Sequence, residues 1–341
     1  MRQLTFVVGT GRTGSTALSG LLHAHPDVLS LNEYLASVGS AALADGSLDG
    51  RAFWQLLAAP NPTFETMIRS GYPMPEFLYT RRPGRFATAT TGIPALSLMV
   101  LPHLTDDPDA LFDALAAQVT GWPARTATQH HHALFDALCA RFARSAVVER
   151  SGYSGHRIPR LRAAFPQARF VHLSRNGPDC ALSMSRHPGY RLIFLQREIL
   201  ARAGVAHPAE LTPDHVRSLP PELSALLADR FDAALVRDRA LPTPAFGALW
   251  SELVAEAAGL LCEVPAALRT TLTYEDLLDD PRRELTRLAA FVGVDARPGW
   301  LEAAARTLDP GRAGASSGLP AAELSALRAQ CVRGERVLAG G

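Results

Sequence analysis

Residues 3–22 read QLTFVVGTGRTGSTALSGLL: a short apolar run, a glycine-rich loop, then a segment with helical spacing. A strand that empties into glycines and reopens as a helix usually holds phosphate. The first helical N–H groups lack intrahelical acceptors, and the helix dipole favours an anion there. The loop fits more than one template. Gly9, Gly11 and Gly14 satisfy GxGxxG, the dinucleotide fingerprint, which also wants an acidic residue about 20 positions on, after the second strand. Glu33, in VLSLNE, stands there. On this region alone a Rossmann-type oxidoreductase using NAD(P) or FAD is a serious alternative. Gly9 and Gly14 also have the separation of the nucleotide loop GxxxxGK[ST], but Ser15 occupies the place of its lysine. Without that cation the β- and γ-phosphates lose their main charge partner, which argues against ATP or GTP hydrolysis. A third template asks less: backbone N–H groups, the Ser15 and Thr16 hydroxyls and the helix dipole hold one terminal phosphate, with Arg12 adding charge at the loop tip.

Composition narrows the surroundings of this loop. At 341 residues the chain suffices for one large α/β domain, and its 47% hydrophobic content is ordinary for a globular protein. The formal net charge of +1 provides no long-range pull toward nucleic acid or an anionic membrane, so any anion must be held by a local cluster. Lysine is absent, so every basic residue counted as Lys or Arg is arginine. No lysine nucleophile, Schiff base or ammonium phosphate grip is available. Cys139, Cys180, Cys262 and Cys331 are widely spaced, without a CxxC pair, which fits reduced thiols and not a zinc site. No long apolar core follows a cationic start, and no apolar run approaches membrane-spanning length. The expectation is a cytoplasmic protein without membrane or nucleic-acid partners, with a homodimer left open.

Along the chain, strands alternate with helices: Leu4 to Val8, the helix from Ser15, Val28 to Leu31, AVVER, RIPRLRAAF, ARFVHLSR and LRTTLTYEDL. That alternation implies a parallel sheet covered on both faces. Residues 39–123 mix helix-like pieces with Pro/Gly-rich stretches and read as a largely helical insert over the sheet. Residues 190–262 read as amphipathic helices, including ELSALLADRFDAALV and ALWSELVAEAAGLL. The expected organisation is one domain over 1–341.

The segment FVHLSRNGPDCALSMSRHPG, residues 170–189, separates the templates. Its apolar strand delivers Arg175 at the C-terminal end, where parallel sheets bind ligands, and Asn176 can cap the next helix. Ser183 follows about two helical turns later, so Arg175 and Ser183 can address one anion. A dehydrogenase has no use for a second phosphate site. The GxxRTGST loop and this segment together resemble the 5′ and 3′ motifs of sulfotransferases that use 3′-phosphoadenosine 5′-phosphosulfate (PAPS), in their bacterial form. LTYEDLLDDPRRELTRLAAFVGV resembles the family's late YEDL block, and DPGRAGASSG its late basic-glycine loop.

The resemblance implies a three-layer α/β/α, P-loop NTPase-like fold with a central parallel sheet and a helical insertion. It covers residues 4–33, 146–189 and 270–318. It further implies that Gly11, Arg12, Thr13, Gly14, Ser15, Thr16, Arg150, Arg175 and Ser183 bind PAPS, that Tyr274 lies near the adenine, and that Arg312 and Gly314 close over the 3′-phosphate. Ala313 stands where the family has a second basic residue. The acceptor expected is a hydroxyl on a small molecule or carrier-bound natural product. A general base is then needed, and the resemblance assigns it to Glu33, with Arg12 stabilising the transferred group. The histidine used by the eukaryotic cytosolic branch is replaced by Gly152, leaving His156 as the fallback base. No metal is expected.

Three further features carry less. His130–His132 are consecutive, point about 100° apart on a helix and cannot converge on one ion, so they read as an exposed helix start. RRPGR at 81–85 reads as a solvated loop. Phe53, Trp54, Tyr72, Phe77 and Tyr79 could line an acceptor cavity, though such residues more often form core.

Overall fold

The computed structural model describes residues 2–340. It contains β1 (Gln3–Val8), β2 (Val28–Asn32), the two-residue β3 (Ser47–Leu48) and β4 (Arg125–Thr126), β5 (Ala146–Arg150), β6 (Arg169–Ser174) and β7 (Arg269–Thr273). Five of these form one sheet in the order β2-β5-β1-β6-β7, parallel throughout. β3 and β4 pair separately and antiparallel.

The main strands are near-continuous apolar runs because both faces are covered. Phe6 and Val8 of β1, Leu29 and Leu31 of β2 and Phe170 of β6 enter one core. Val7, Val148 and Val171 enter the opposite one, against Leu18, Leu21 and Leu22 of helix α1 (Ser15–His23) and against Leu285 and Leu288 of helix Pro281–Val292. The result is the three-layer α/β/α, P-loop-like arrangement that the resemblance implies.

The insert is largely helical, with helices Gly50–Ala58, Pro62–Arg69, Ala95–Met99, Leu101–Leu104 and Pro108–Val119. Asp49, Asn61 and Asp107 cap three of them through side-chain oxygens, satisfying N–H groups that would otherwise be orphaned. Phe53, Trp54 and Leu57 join the core beneath the sheet, so the insert and the sheet share apolar packing. Its other aromatics, Tyr72, Phe77 and Tyr79, sit in a second cluster with Leu195, Leu223 and Phe231. All five aromatics that could have lined a cavity are thus core residues, as such residues more often are.

Three other expectations change. Residues 222–236 form no continuous helix: helix Pro221–Ser224 and a 3₁₀ turn end at Leu227, and a helix resumes only at Ala234–Arg237. Local partners break it, since the Asp232 carboxylate accepts from Ala234 N–H at 2.9 Å and Ser70 Oγ accepts from Phe231 N–H at 3.0 Å. His130 and His131 are buried, not exposed: their Nε2 atoms meet the carbonyls of Leu48 and Ala42 at 2.7 and 2.6 Å, and the Tyr34 hydroxyl lies 2.7 Å from His131 Nδ1. Burial lowers the His131 pKa to about 4, which keeps the ring neutral inside the core. Helix Thr243–Cys262, interrupted in sequence by Glu252 and Glu256, is long and apolar enough by length and composition to cross a membrane. Here half of that stretch is buried, and the helix packs against helices Gly177–Ser185 and Ala321–Ala339.

Phe170, 1% exposed, packs its ring 5.6 Å from Phe6 between the sheet and the insert-side layer. Phe170→Ala is expected to destabilise the protein by about 3–5 kcal/mol through lost burial plus the cavity left behind. A lowered urea midpoint at unchanged slope checks this.

Candidate functional site

The register of the sheet sets the site. Asn32 and Val7 both lie opposite Arg150, Val8 lies opposite His172, and Ser174 lies opposite Thr273. β2 and β5 end one residue before β1, and β6 and β7 run two residues beyond it, so all five carboxyl ends fall on one edge of the sheet within three residues of one another. Gly9, Glu33, Arg150, Arg175 and Tyr274 each lie at or just after a strand end, along the edge where parallel sheets bind ligands.

The loop after β1 is shaped by close packing as much as by its polar groups. Gly11, Arg12 and Gly14 have φ of 72°, 58° and 78°. A Cβ on Gly11 would lie 2.0 Å from Tyr190 Oη, and one on Gly14 would lie 2.1 Å from Tyr274 Cδ2. Both positions exclude a side chain on conformation and on space. Arg12 tolerates the left-handed region at a cost of about 1–2 kcal/mol, the kind of backbone strain that concentrates at ligand sites. No side chain caps α1, so the loop's N–H groups face the edge unclaimed by a side-chain cap. Thr13 is buried at 2% exposure and borders neither cavity described below.

One cavity of about 380 Å³ lies against this helix start. Gly14, Ser15, Thr16 and Arg12 border it from the loop, and Arg175, Ser183, Tyr274 and Arg312 from three other segments. Ser183 is on helix Gly177–Ser185, which Asn176 caps through Asp179 N–H at 3.2 Å. The Arg175 guanidinium stands over the Tyr274 ring at 5.2 Å and donates to the Arg312 carbonyl at 2.7 Å. Its Nε is buried with no partner. Asp179, in the first turn of helix Gly177–Ser185, ties down the tail loop: it accepts from Gly314 N–H at 2.6 Å and Ser316 N–H at 2.8 Å. Burial opposes its ionisation, but these hydrogen bonds and the Arg175 charge outweigh it and hold the Asp179 pKa below the usual value. Gly314 itself anchors the loop and does not border the cavity.

A second cavity, also about 380 Å³, shares Arg12 and Ser15 with the first. Glu33 borders this one alone. It is 7% exposed with φ 56°; Arg150 Nη1 donates to its Oε1 and Gly152 N–H donates to its Oε2 at 3.0 Å. Arg150, buried at 2%, also donates to Asn32 Oδ1, and it borders the Glu33 cavity, not the Arg175 one. His156 is exposed beside Tyr153 and borders neither.

Sequence reasoning missed Glu76 and His187. Glu76 lies in the insert, where no motif marks it, and His187 caps helix Pro188–Ala203 just past the 3′-like segment. Arg12 Nη1 donates to Glu76 Oε1 at 3.3 Å, and Arg12 Nε donates to Ser183 Oγ at 3.2 Å. His187 Nδ1 accepts from Gly189 N–H, so the neutral ring carries its proton on Nε2, 3.2 Å from Glu76 Oε2. Burial raises the Glu76 pKa, but the His187 and Arg12 partners outweigh it and bring it below the ordinary value.

Beneath Glu33, the Glu149 carboxyl is buried, accepting from Ser151 Oγ at 2.6 Å and Leu35 N–H at 3.1 Å. Burial pushes its pKa up to about 7 against those bonds. The folded state therefore holds a proton there that the unfolded chain releases near its ordinary value, and stability falls as pH rises from about 4.5 to 7. Glu149→Gln is expected to flatten that fall, read as thermal midpoints across this pH range.

A family model described as "Sulfotransferase family" matches residues 5–202. No curated protein matches in sequence. Three solved structures align along most of their lengths. The sulfotransferase domain from the Synechococcus PCC 7002 olefin synthase is 16% identical at a TM-score of 0.48, over 99% of this chain and 94% of that one. The sulfotransferase domain from the curacin biosynthetic pathway is 14% identical at 0.47, over 97% and 98%. Sulfotransferase STF9 from Mycobacterium avium is 14% identical at 0.46, over 100% and 77%. With the family model spanning more than half of its residues, the chain belongs to the sulfotransferase family and is a transferase enzyme.

Proposed function

We propose that the protein transfers the sulfuryl group of PAPS to an alcohol, with Glu33 as the general base. The observation that carries this reading is the pair of cavities meeting at Arg12 and Ser15. One has two separate anion grips, the loop with the start of α1 and the Arg175–Ser183 pair, with the Tyr274 side chain between strand end and loop. A nucleotide with phosphates at both 5′ and 3′ positions needs that arrangement; NAD or ATP does not. The buried, unpartnered Arg175 Nε is a donor such a 3′-phosphate would satisfy. Arg312 and the Asp179-anchored Gly314 loop lie over the same end.

The other cavity receives the acceptor. The acceptor hydroxyl gives its proton to the Glu33 carboxylate as its oxygen bonds to sulfur. The bond from sulfur to the 5′-phosphate oxygen breaks, and its electron pair leaves on adenosine 3′,5′-bisphosphate. Arg12, at the common wall, and the loop N–H groups hold charge on the sulfuryl oxygens and the leaving phosphate. Arg150 and Gly152 N–H orient Glu33, and Arg12 must exchange its Glu76 contact for the transferred group. Because Glu33 borders the acceptor cavity alone, it is poorly placed for the ribose contact of a Rossmann site.

In thermal-shift measurements, adenosine 3′,5′-bisphosphate is expected to stabilise the protein far more than 5′-AMP, NAD or ATP. Equal stabilisation by AMP would sink the 3′-site assignment. Arg175→Ala is expected to weaken bisphosphate binding about 10- to 100-fold, the cost of charge-assisted hydrogen bonds to phosphate. Glu33→Gln is expected to bind bisphosphate normally and lose about 10²- to 10⁴-fold in kcat. Full activity in that variant would remove Glu33 as the base.

A further inference from the structure

The acceptor cavity does not end at the insert. Thr63 and Met67 on helix Pro62–Arg69, and Leu192 and Gln196 on helix Pro188–Ala203, border both it and a further cavity of about 260 Å³. Each pair is spaced i, i+4, so each presents one face of its helix. The two cavities thus adjoin along the seam between the two helices.

Chemistry changes along this seam. Arg12, Glu33, Glu76 and Arg150 gather where the acceptor cavity meets the loop. Met67, Met74, Met99 and Phe64 line its walls. Asn61 also borders it, but its side chain is spent: the oxygen accepts from Thr63 and Phe64 N–H, and the amide donates to the Ala36 and Ser37 carbonyls. The further cavity is bordered by Leu195, Ile199, Leu226, Leu227 and Phe231, and its one charged neighbour among the described residues is Asp229. Leu227 is 40% exposed, one of three large hydrophobics so exposed among the described residues. A second, Tyr153, borders the acceptor cavity. An apolar residue left in water at the mouth of an apolar groove fits an apolar ligand passing over it.

We propose that the acceptor is an alcohol on an extended apolar chain. Its hydroxyl-bearing carbon lies between Glu33 and Arg12, and the chain continues between helices Pro62–Arg69 and Pro188–Ala203 to Phe231 and Leu227. The assignment rests on the acceptor cavity being the one proposed above. Methionines suit this groove because their unbranched, polarisable side chains adapt to a flexible chain.

The test is calorimetric titration of the protein with straight-chain primary alcohols from butanol to dodecanol, run with and without saturating adenosine 3′,5′-bisphosphate. Affinity is expected to rise about fourfold per added methylene until the chain emerges past Leu227. Thr66→Trp, which fills the further cavity from a position that does not border the acceptor cavity, is expected to preserve butanol binding and abolish the gain from longer chains. Leu227→Arg, at an exposed position, is expected to curtail the gain for the longest alcohols only. An affinity independent of chain length overturns the proposal, as does glucose binding as tightly as octanol. A chain-length series unchanged in both variants overturns it too, by placing the chain elsewhere. Failure of bisphosphate binding on the same samples would instead overturn the donor reading, and the series run without bisphosphate would still report on the groove.

Discussion

The carboxyl edge of the parallel sheet is the constraint on which the rest of the site depends. Parallel pairing with this register brings the ends of β1, β2, β5, β6 and β7 to one edge, although they are separated by up to some 265 positions in sequence. Each strand contributes its next residue or two to the same surface, so no long loop has to fold back to assemble the groups. Burial of both sheet faces makes that register rigid, because a one-residue slip would exchange the apolar residues of the two cores.

Arg12 is the point where the two halves of the site meet. It sits in the left-handed region between Gly11 and Gly14, positions where the Tyr190 hydroxyl and the Tyr274 ring leave no room for a Cβ. Its guanidinium joins Ser183, which borders the Arg175 cavity, to Glu76, which the insert supplies to the Glu33 cavity. The insert therefore does more than roof the sheet. Through Glu76, which His187 also meets, it touches the Arg12 side chain, so packing of the insert and geometry of the glycine-rich loop are mechanically linked at one residue.

Much of the Arg175 cavity was legible in the sequence. The GTGRTGST loop, Arg175 and Ser183 are close enough in sequence to strand ends and helix starts that local rules locate them, and the structure brings them to one cavity with Tyr274 and Arg312. Arg150 was legible as a strand-end cation, but its neighbour was not: it pairs with Glu33 and faces the other cavity. The Glu33 cavity was largely illegible. Glu76 and His187 are 111 positions apart, and neither belongs to a motif, so only the folded insert makes them partners. Histidines 130–131 misled for a related reason: polarity suggests exposure until backbone carbonyls of Leu48 and Ala42 are there to accept their ring N–H groups.

By itself the sequence determined the strand–loop–helix start, the parallel α/β class and the absence of any lysine to grip phosphate, because these follow from local periodicity, glycine placement and composition. Tertiary structure alone decided which side of Arg12 each charged group serves, how Asp179 anchors the tail over Arg175, and where the apolar seam between helices Pro62–Arg69 and Pro188–Ala203 leads. The physical reason is range. Helix starts and strand ends are fixed by neighbours within a few residues, whereas a cavity is defined by side chains that come together only when distant segments bury their apolar faces against one another.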